Sequence, residues 1–542
     1  MRVVALAVCY LWASAAAAQA HPAPGGPPAY RISGIVVDAA TQVPVARAEV
    51  ILADRQEIEA VAGEDGRFTF DGLAPGKYVL AARARGYVRE LYQQHQNFTT
   101  SIAVGSGLDS THLVFPLHRQ AVIRGRITDD RGEPVRGAPV ELVVSEVSWG
   151  KRHESGRQAT TNDLGEFRFS GLRAGRYRVS VLANPWYART PMNHPELLYK
   201  QSGAANVGVI PLLDVAYPPT FYPGVTNPGS AGDIAVAPGE TADASMQLQA
   251  VPAVHLHLTG VPLANKETLA VHVRYRDASL ARIVVVPSAV PVGPGEYEVD
   301  GLASGDATVL LSRGSGSDSI AVINAALTPG DDTLDASAAP VSVPVSGVVV
   351  LPSGLVVPAE STVNIWSSDV PPFSSALAKD GSFSFPSVAT GEYNIDVALP
   401  HKDAYIQSLS AEGAEASGRR LSIEGSAQVR VRIVVGIGRA QLSGVAMRDG
   451  KPAAAVFVLL VPASPGYAES DARMDQSDSD GTFSLGEVAP GSYLLLAITD
   501  GWDLEWDKTE VLRPYLEKAQ HLEVAANETR SVVVQAVARL QP

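Results

Sequence analysis

Asp65-Gly66-Arg67-Phe68-Thr69-Phe70-Asp71-Gly72-Leu73-Ala74-Pro75-Gly76-Lys77-Tyr78 is the stretch whose reading decides the fold. The same frame returns without a gap as Gly165-Phe167-Phe169-Leu172-Gly175-Tyr177, as Gly381-Phe383-Phe385-Val388-Gly391-Tyr393, and as Gly481-Phe483-Leu485-Val488-Gly491-Tyr493. A worn copy, Gly295-Tyr297-Val299-Leu302-Gly305, carries Ala307 where the others carry tyrosine. Repetition at this scale marks an array of equivalent structural units.

Each copy reads as a β-hairpin corner. Asp-Gly before an alternating pair of rings is a turn signal, since glycine accepts positive φ at little steric cost. Phe68 and Phe70 stand two apart and share one face of a strand, while Arg67 and Thr69 share the other. Gly-Leu-x-Pro-Gly turns the chain again, with Leu73 as an apolar plug, and Tyr78 and Leu80 resume the alternation. Phe68 and its sisters are therefore expected in a core, and Gly66, Gly165, Gly295 and Gly481 at positive φ.

Upstream of each corner lies an alternating strand with a central glycine and then a proline turn: Ile32 to Val37 with Pro44, Ile123 to Ile127 with Pro134, Val345 to Val349 with Pro358, and Leu442 to Val445 with Pro452. A short strand closes each unit, as in Ile102-Ala103-Val104 or Leu522-Glu523-Val524. Strands at this spacing, separated by turn signals, argue for sandwiches of antiparallel sheets. The expected fold class is all-β, a linear array of about five antiparallel β-sandwich units.

Ser33-Gly34-Ile35-Val36-Val37-Asp38, Pro134-Val135-Arg136-Gly137-Ala138-Pro139-Val140 and the corner frame together resemble the carboxypeptidase regulatory-like domain family. The resemblance implies small prealbumin-like sandwiches, grouped with carbohydrate-binding-like folds. It specifies fold well and function poorly, because such modules are appended to many proteins.

The sequence divides into a signal peptide (1–20), a Pro/Gly-rich linker (21–28), and five units at 29–118, 119–250, 251–340, 341–438 and 439–542. The leader follows from Arg2, the apolar stretch Val3 to Ala17 and the small-residue site Ala18-Gln19-Ala20. Export to the periplasm or cell surface is the expectation. Cys9, the one cysteine, lies in that leader, so no disulfide staples the units. No apolar run long enough for a membrane helix follows the leader. A net charge of −14 disfavours nucleic acid as a partner.

The search for chemistry returns little. There is no Gly-x-Ser-x-Gly elbow and no histidine pair at zinc-peptidase spacing. His255 and His257 share a strand face and read as half-exposed strand histidines. Asp475, Asp478 and Asp480 before Gly481 superficially resemble a calcium loop, but their sister copies make a plain turn. No catalytic residue, metal site or cofactor is expected. One cluster stands out in an insertion at 183–229 of unit two, where Trp186, Tyr187, Tyr199, Tyr217, Phe221 and Tyr222 are interleaved with prolines. Exposed rings on a stiffened loop offer faces for sugar stacking. Trp186, Tyr187, Tyr217, Phe221 and Tyr222 are the candidate ligand residues, with Trp502 and Trp506 a second pair. Packing of the same rings as a satellite core under the loop is the structural alternative. The functional expectation is a non-enzymatic cell-envelope protein that binds carbohydrate, or else an envelope protein through exposed sandwich edges. Two short helices are also expected, one against unit five through Leu512, Tyr515, Leu516 and Ala519, the other over Tyr87 to Gln94.

Overall fold

The computed structural model describes residues 29–53, 57–188, 212–263, 267–275, 284–285, 289–314, 319–338, 343–367, 372–425, 428–464 and 471–540. The leader and Tyr199 lie outside them.

The repeated frame folds as its alternation dictates. In the corner strand Arg67–Leu73, Phe68, Phe70 and Leu73 are buried while Arg67 and Thr69 are exposed. Phe167, Phe169, Phe383, Phe385, Phe483 and Leu485 are likewise buried, and each Phe pair meets edge to face. The turn glycines 66, 165, 295, 381 and 481 have φ of 75°, 74°, 73°, 82° and 79°, the left-handed region that glycine enters freely.

One expectation is corrected. The strands joined by Gly-Leu-x-Pro-Gly are not a hairpin, because Arg67–Leu73 pairs with Tyr30–Asp38 in one sheet and Gly76–Arg83 pairs with Glu49–Ala53 in the other. The corner is an arch between sheets. Leu73 fills its inside, and Tyr78 locks it by donating its hydroxyl to the Ala74 carbonyl at 2.9 Å. Tyr177, Tyr393 and Tyr493 make the same bond to Arg173, Ala389 and Ala489.

The sandwiches are antiparallel except beside the opening strand of each unit and, in unit five, where Gly491–Thr499 also runs parallel to Thr529–Ala538. The opening strand lies between the corner strand, antiparallel, and the last strand, parallel: Tyr30–Asp38 beside Leu113–Leu117, Val254–Thr259 beside Gly330–Asp335, Val343–Val350 beside Val429–Ile437, and Ala440–Arg448 beside Thr529–Ala538. In unit two, Thr241–Asp243 and Met246–Gln247 share that place beside Ala121–Thr128. This close approach explains the central glycine. A Cβ at Gly444 would lie 2.3 Å from the Val532 carbonyl oxygen and 2.4 Å from the Phe483 ring.

In the worn third unit, Leu258 stands opposite Tyr297, where the other units pair glycine with phenylalanine. The bulk on the opening strand accompanies a ring that is only half-buried. The missing corner tyrosine is replaced from across the sheet. Tyr275 pairs with Ala307, and its hydroxyl donates to the Ala303 carbonyl and accepts from the Ala303 amide, both at 3.0 Å.

Each unit has its own hydrophobic cluster, and unit five has a second on its outer face. That face carries the expected helix, Thr509–Leu516, with Leu512 and Tyr515 buried. The stretch from Tyr87 to Gln94 is not helical. Glu90–Leu91 instead adds a short strand to Ala81 and Ala82.

The units follow one another in sequence, but the array folds back on itself. Unit five packs against units one and two through contacts spanning almost 400 residues, such as Ser101 N–H to Asp478 Oδ1 at 2.9 Å.

Candidate functional site

The aromatic insertion of unit two divides between surface and core. Trp186 is 82 % exposed and meets the half-buried Tyr187 edge to face at 5.8 Å. Beneath them Tyr217 is buried in the unit-two core, with its hydroxyl bonded to that of Tyr187. Burial, followed by the neighbouring Tyr187 and Asp129, pushes the Tyr217 phenol well above its ordinary range. Phe221 is buried against Val143, in the short strand Thr220–Phe221 that pairs with Ser180 and Val181. Tyr222 is half-buried against the same core. Tyr217 and Phe221 therefore cannot offer ring faces to a ligand, and their assignment as ligand contacts is corrected by burial. The structural alternative describes those two, while Trp186 remains an exposed platform.

Trp502 and Trp506 are not an exposed pair either. Both are buried, and they form the joint between units. The Trp502 indole stacks on His95 of unit one at 5.5 Å with an interplanar angle of 7°, meets Phe98 at 5.1 Å, and rests on Phe457 of its own unit at 4.6 Å. Gln96 ties three units together: its side-chain amide donates to the Trp502 carbonyl at 2.6 Å and to the Val147 carbonyl of unit two at 2.8 Å. Gln476, buried, bonds His95 Nδ1 through its oxygen and donates to the Gln93 carbonyl and Thr100 hydroxyl.

The acidic turn of unit five completes this joint. Asp478 accepts from the Ser101 N–H and from Lys77 Nζ at 2.5 Å, and Ser479 Oγ accepts from the Ala103 N–H at 2.8 Å. Asp480 caps Thr482, and Asp475 accepts from the Ser484 N–H, with its carboxyl pushed up by burial. The turn thus docks onto the edge strand Ile102–Val104. Among the described residues no group of three or more His, Cys, Asp or Glu is placed to hold a metal ion.

The long hairpin of unit two, Pro139–Ser148 and Lys151–Thr160, reaches the same face of unit five. Its tip Gly150 lies against the Trp506 indole, where an added Cβ would come within 2.4 Å of the ring. Arg152 pairs with Glu505 at 2.9 Å, and Lys151 with Asp507 at 3.7 Å.

His255 is bonded on both ring nitrogens, Nδ1 to Asp300 and Nε2 to Asp214, each at 2.9 Å. The Asp300 bond raises its pKa to about 9 against the opposing effect of burial, with Asp214 adding to the rise. It pins the returning end of the insertion to the corner strand of unit three. His257 faces Glu296 at 3.9 Å.

Sequence reasoning missed the joint and two further exposed indoles, Trp149 and Trp366, each 38 % exposed. The excess of buried indole around 502–506 was the available signal, since two large rings so close together seek a shared apolar surface.

The architecture defines the class: a β-sandwich repeat protein. The family model described as the carboxypeptidase regulatory-like domain matches residues 31–111 and 122–193. Among solved structures, the Bacillus anthracis TIE protein is similar at 10 % identity, with 94 % of this chain and 68 % of that chain covered and a TM-score of 0.17. The minor pilin GBS52 of Streptococcus agalactiae is similar at 14 % identity over 41 % of this chain and 97 % of its own, with a TM-score of 0.21. Two B repeat units of the Staphylococcus aureus collagen binding protein are similar at 12 % identity over 70 % and 93 %, with a TM-score of 0.14. A search of curated proteins finds no match.

Proposed function

We propose that the chain is a non-enzymatic, exported scaffold of the bacterial cell envelope, made of the five units expected from the sequence, with carbohydrate as its ligand class. The observation that carries this reading is the joint around Trp502 and Gln96. Side chains with chemical potential elsewhere, namely His95, Gln476 and Asp478, are engaged here in fastening one sandwich to another. An assembly so fastened holds its surfaces at fixed spacing, as a scaffold requires. Exposed indoles at Trp149, Trp186 and Trp366 supply flat apolar faces of the kind that sugars stack on. Export follows from the leader at 1–20.

The test is the full chain on a glycan array, with bound glycans recovered and sized. Retention of a glycan set at unchanged length is expected. Shortened or modified glycans, or no retention at all, would overturn the reading.

One observation favours a second reading, a protein partner added as a strand. Ser319–Leu327 is the outer strand of its sheet among the described residues, and its sequence Ser-Ile-Ala-Val-Ile-Asn-Ala-Ala-Leu carries no charge and no proline. Edges are ordinarily guarded by such residues. A pull-down from envelope extract, repeated with Val322→Lys, separates the two: loss of a captured protein in the variant would favour strand addition.

A further inference from the structure

A cleft of about 830 Å³ opens where unit four, unit five and the hairpin tip of unit two converge. Its lining is mainly cationic and aromatic, with Trp149 and Lys151 from the hairpin, Trp366 and Arg420 from unit four, and Arg439 and Arg473 from unit five, beside one acid, Glu487. In a chain of net charge −14 such a convergence is against the average.

Its charges are crowded. Burial, and then Arg419, lowers the Arg439 pKa; burial, and then Arg439, lowers that of Arg473. Arg419 is balanced by Asp396 at 3.1 Å and Asp471 at 2.9 Å. Arg439 and Arg473 converge instead on a backbone oxygen, the Glu487 carbonyl, at 2.8 and 2.7 Å. The carboxylates of Glu487, Asp396 and Asp471 offset part of the charge on Arg439, and Asp471 part of that on Arg473. Arg420 is the exposed guanidinium of the lining, where a ligand carboxylate would find a charge-assisted hydrogen bond.

Two strained residues line the same cleft. Glu487 has φ of 56° at the place where units one, two and three have Gly72, Gly171 and Gly301. Trp149 has φ of 53° at the hairpin tip, where a bulky residue is unusual. Non-glycine residues held in the left-handed region gather where function requires a fixed geometry. Here the anchored Gly150 and the Arg152–Glu505 pair fix the hairpin, and the hairpin carries the Trp149 ring to the cleft.

We propose that this cleft binds an acidic saccharide, a uronic-acid oligosaccharide, whose sugar faces stack on Trp149 and Trp366 and whose carboxylates pair with Arg420 and the neighbouring guanidinium groups. Planar guanidinium matches carboxylate geometry, and indole faces match the C–H faces of a sugar ring. The proposal rests on the carbohydrate reading above and names the ligand for it.

The experiment is calorimetric titration of the full chain with oligogalacturonate and, separately, with the same oligosaccharide fully methyl-esterified. Wild type should bind the acid form, with affinity falling as salt rises. The ester should bind at least about tenfold more weakly, the equivalent of one charge-assisted contact. Arg420→Ala, Trp366→Ala and Trp149→Asn should each weaken the acid form by a similar factor at unchanged Tm, the asparagine being chosen because it tolerates the left-handed turn. Equal binding of acid and ester, or wild-type binding by all three variants, would overturn the cleft while leaving the carbohydrate reading in place. Failure of every saccharide, neutral or acidic, would overturn both. Displacement of the oligogalacturonate by polyglutamate at equal charge would overturn the saccharide assignment.

Discussion

At the scale of single residues, units one, two and four each depend on a phenylalanine pair, a locking hydroxyl and a glycine under a neighbouring backbone. Unit five has Leu485 beside Phe483, and unit three keeps only a hydroxyl, that of Tyr275. The rings are core and not contact surface. Phe383→Ala should cost about 3–5 kcal/mol, because a buried ring leaves a cavity that a packed sandwich fills poorly. Calorimetry of the full chain should show one transition displaced, that of unit four, since its cluster is separate from those of its neighbours. An unchanged thermogram would refute the alignment of the frame. The hydroxyl of Tyr275 makes a sharper case, as it satisfies both polar groups of Ala303. Tyr275→Phe keeps the ring and strands a buried N–H and C=O, for an expected loss of about 1–3 kcal/mol. Equal stability of variant and wild type by denaturant titration would mean that the cross-sheet replacement is incidental.

At the scale of elements, what was legible in the sequence was what local physics decides. Positive φ at Gly66 and burial of Phe68 follow from residues within two positions; the first recurs in four other copies and the second in three. Sheet membership was not legible. Both strands of the arch alternate alike, and only their partners show that they lie in different sheets. Composition marked the insertion of unit two but could not separate Trp186 from Phe221, because a ring's burial depends on strands far from it. His255 illustrates the same limit, since its partners Asp214 and Asp300 lie 41 and 45 residues away. Its folded-state pKa is raised from 6.5 to about 9, so the contact stabilises fully below about pH 6.5 and is lost as pH rises through about 9. The unit-three transition should fall in temperature across that window, and His255→Gln should flatten the dependence. A wild-type slope retained in the variant would assign the pH dependence to another group.

At the scale of the whole molecule, the units form a chain that closes. Units one and two are joined by Asp38, which holds Arg119 at 2.6 Å, and by Glu90, which holds His118 and Arg173. Burial opposes the charge on Asp38, but the Thr41 N–H, Arg119 and Tyr87 keep its carboxyl well below the usual range. Unit five then returns to both through Trp502, Gln96 and the acidic turn. Closure explains why two tryptophans that look functional in sequence are buried, and why Asp478 of the acidic turn is engaged by unit one. It also creates surfaces that no single unit owns, the arginine-lined cleft among them.

Closure is tested most directly without any mutation. A carbodiimide joins an ammonium to a carboxylate only when the two touch, and Lys77 Nζ lies 2.5 Å from Asp478 Oδ2. Lys508 and Glu505, 2.6 Å apart within unit five, provide an internal control. In dilute full-length protein, mass spectrometry should recover the Lys77–Asp478 peptide pair from the monomer alongside the control pair. Recovery of the Lys508–Glu505 pair alone would contradict the closed array.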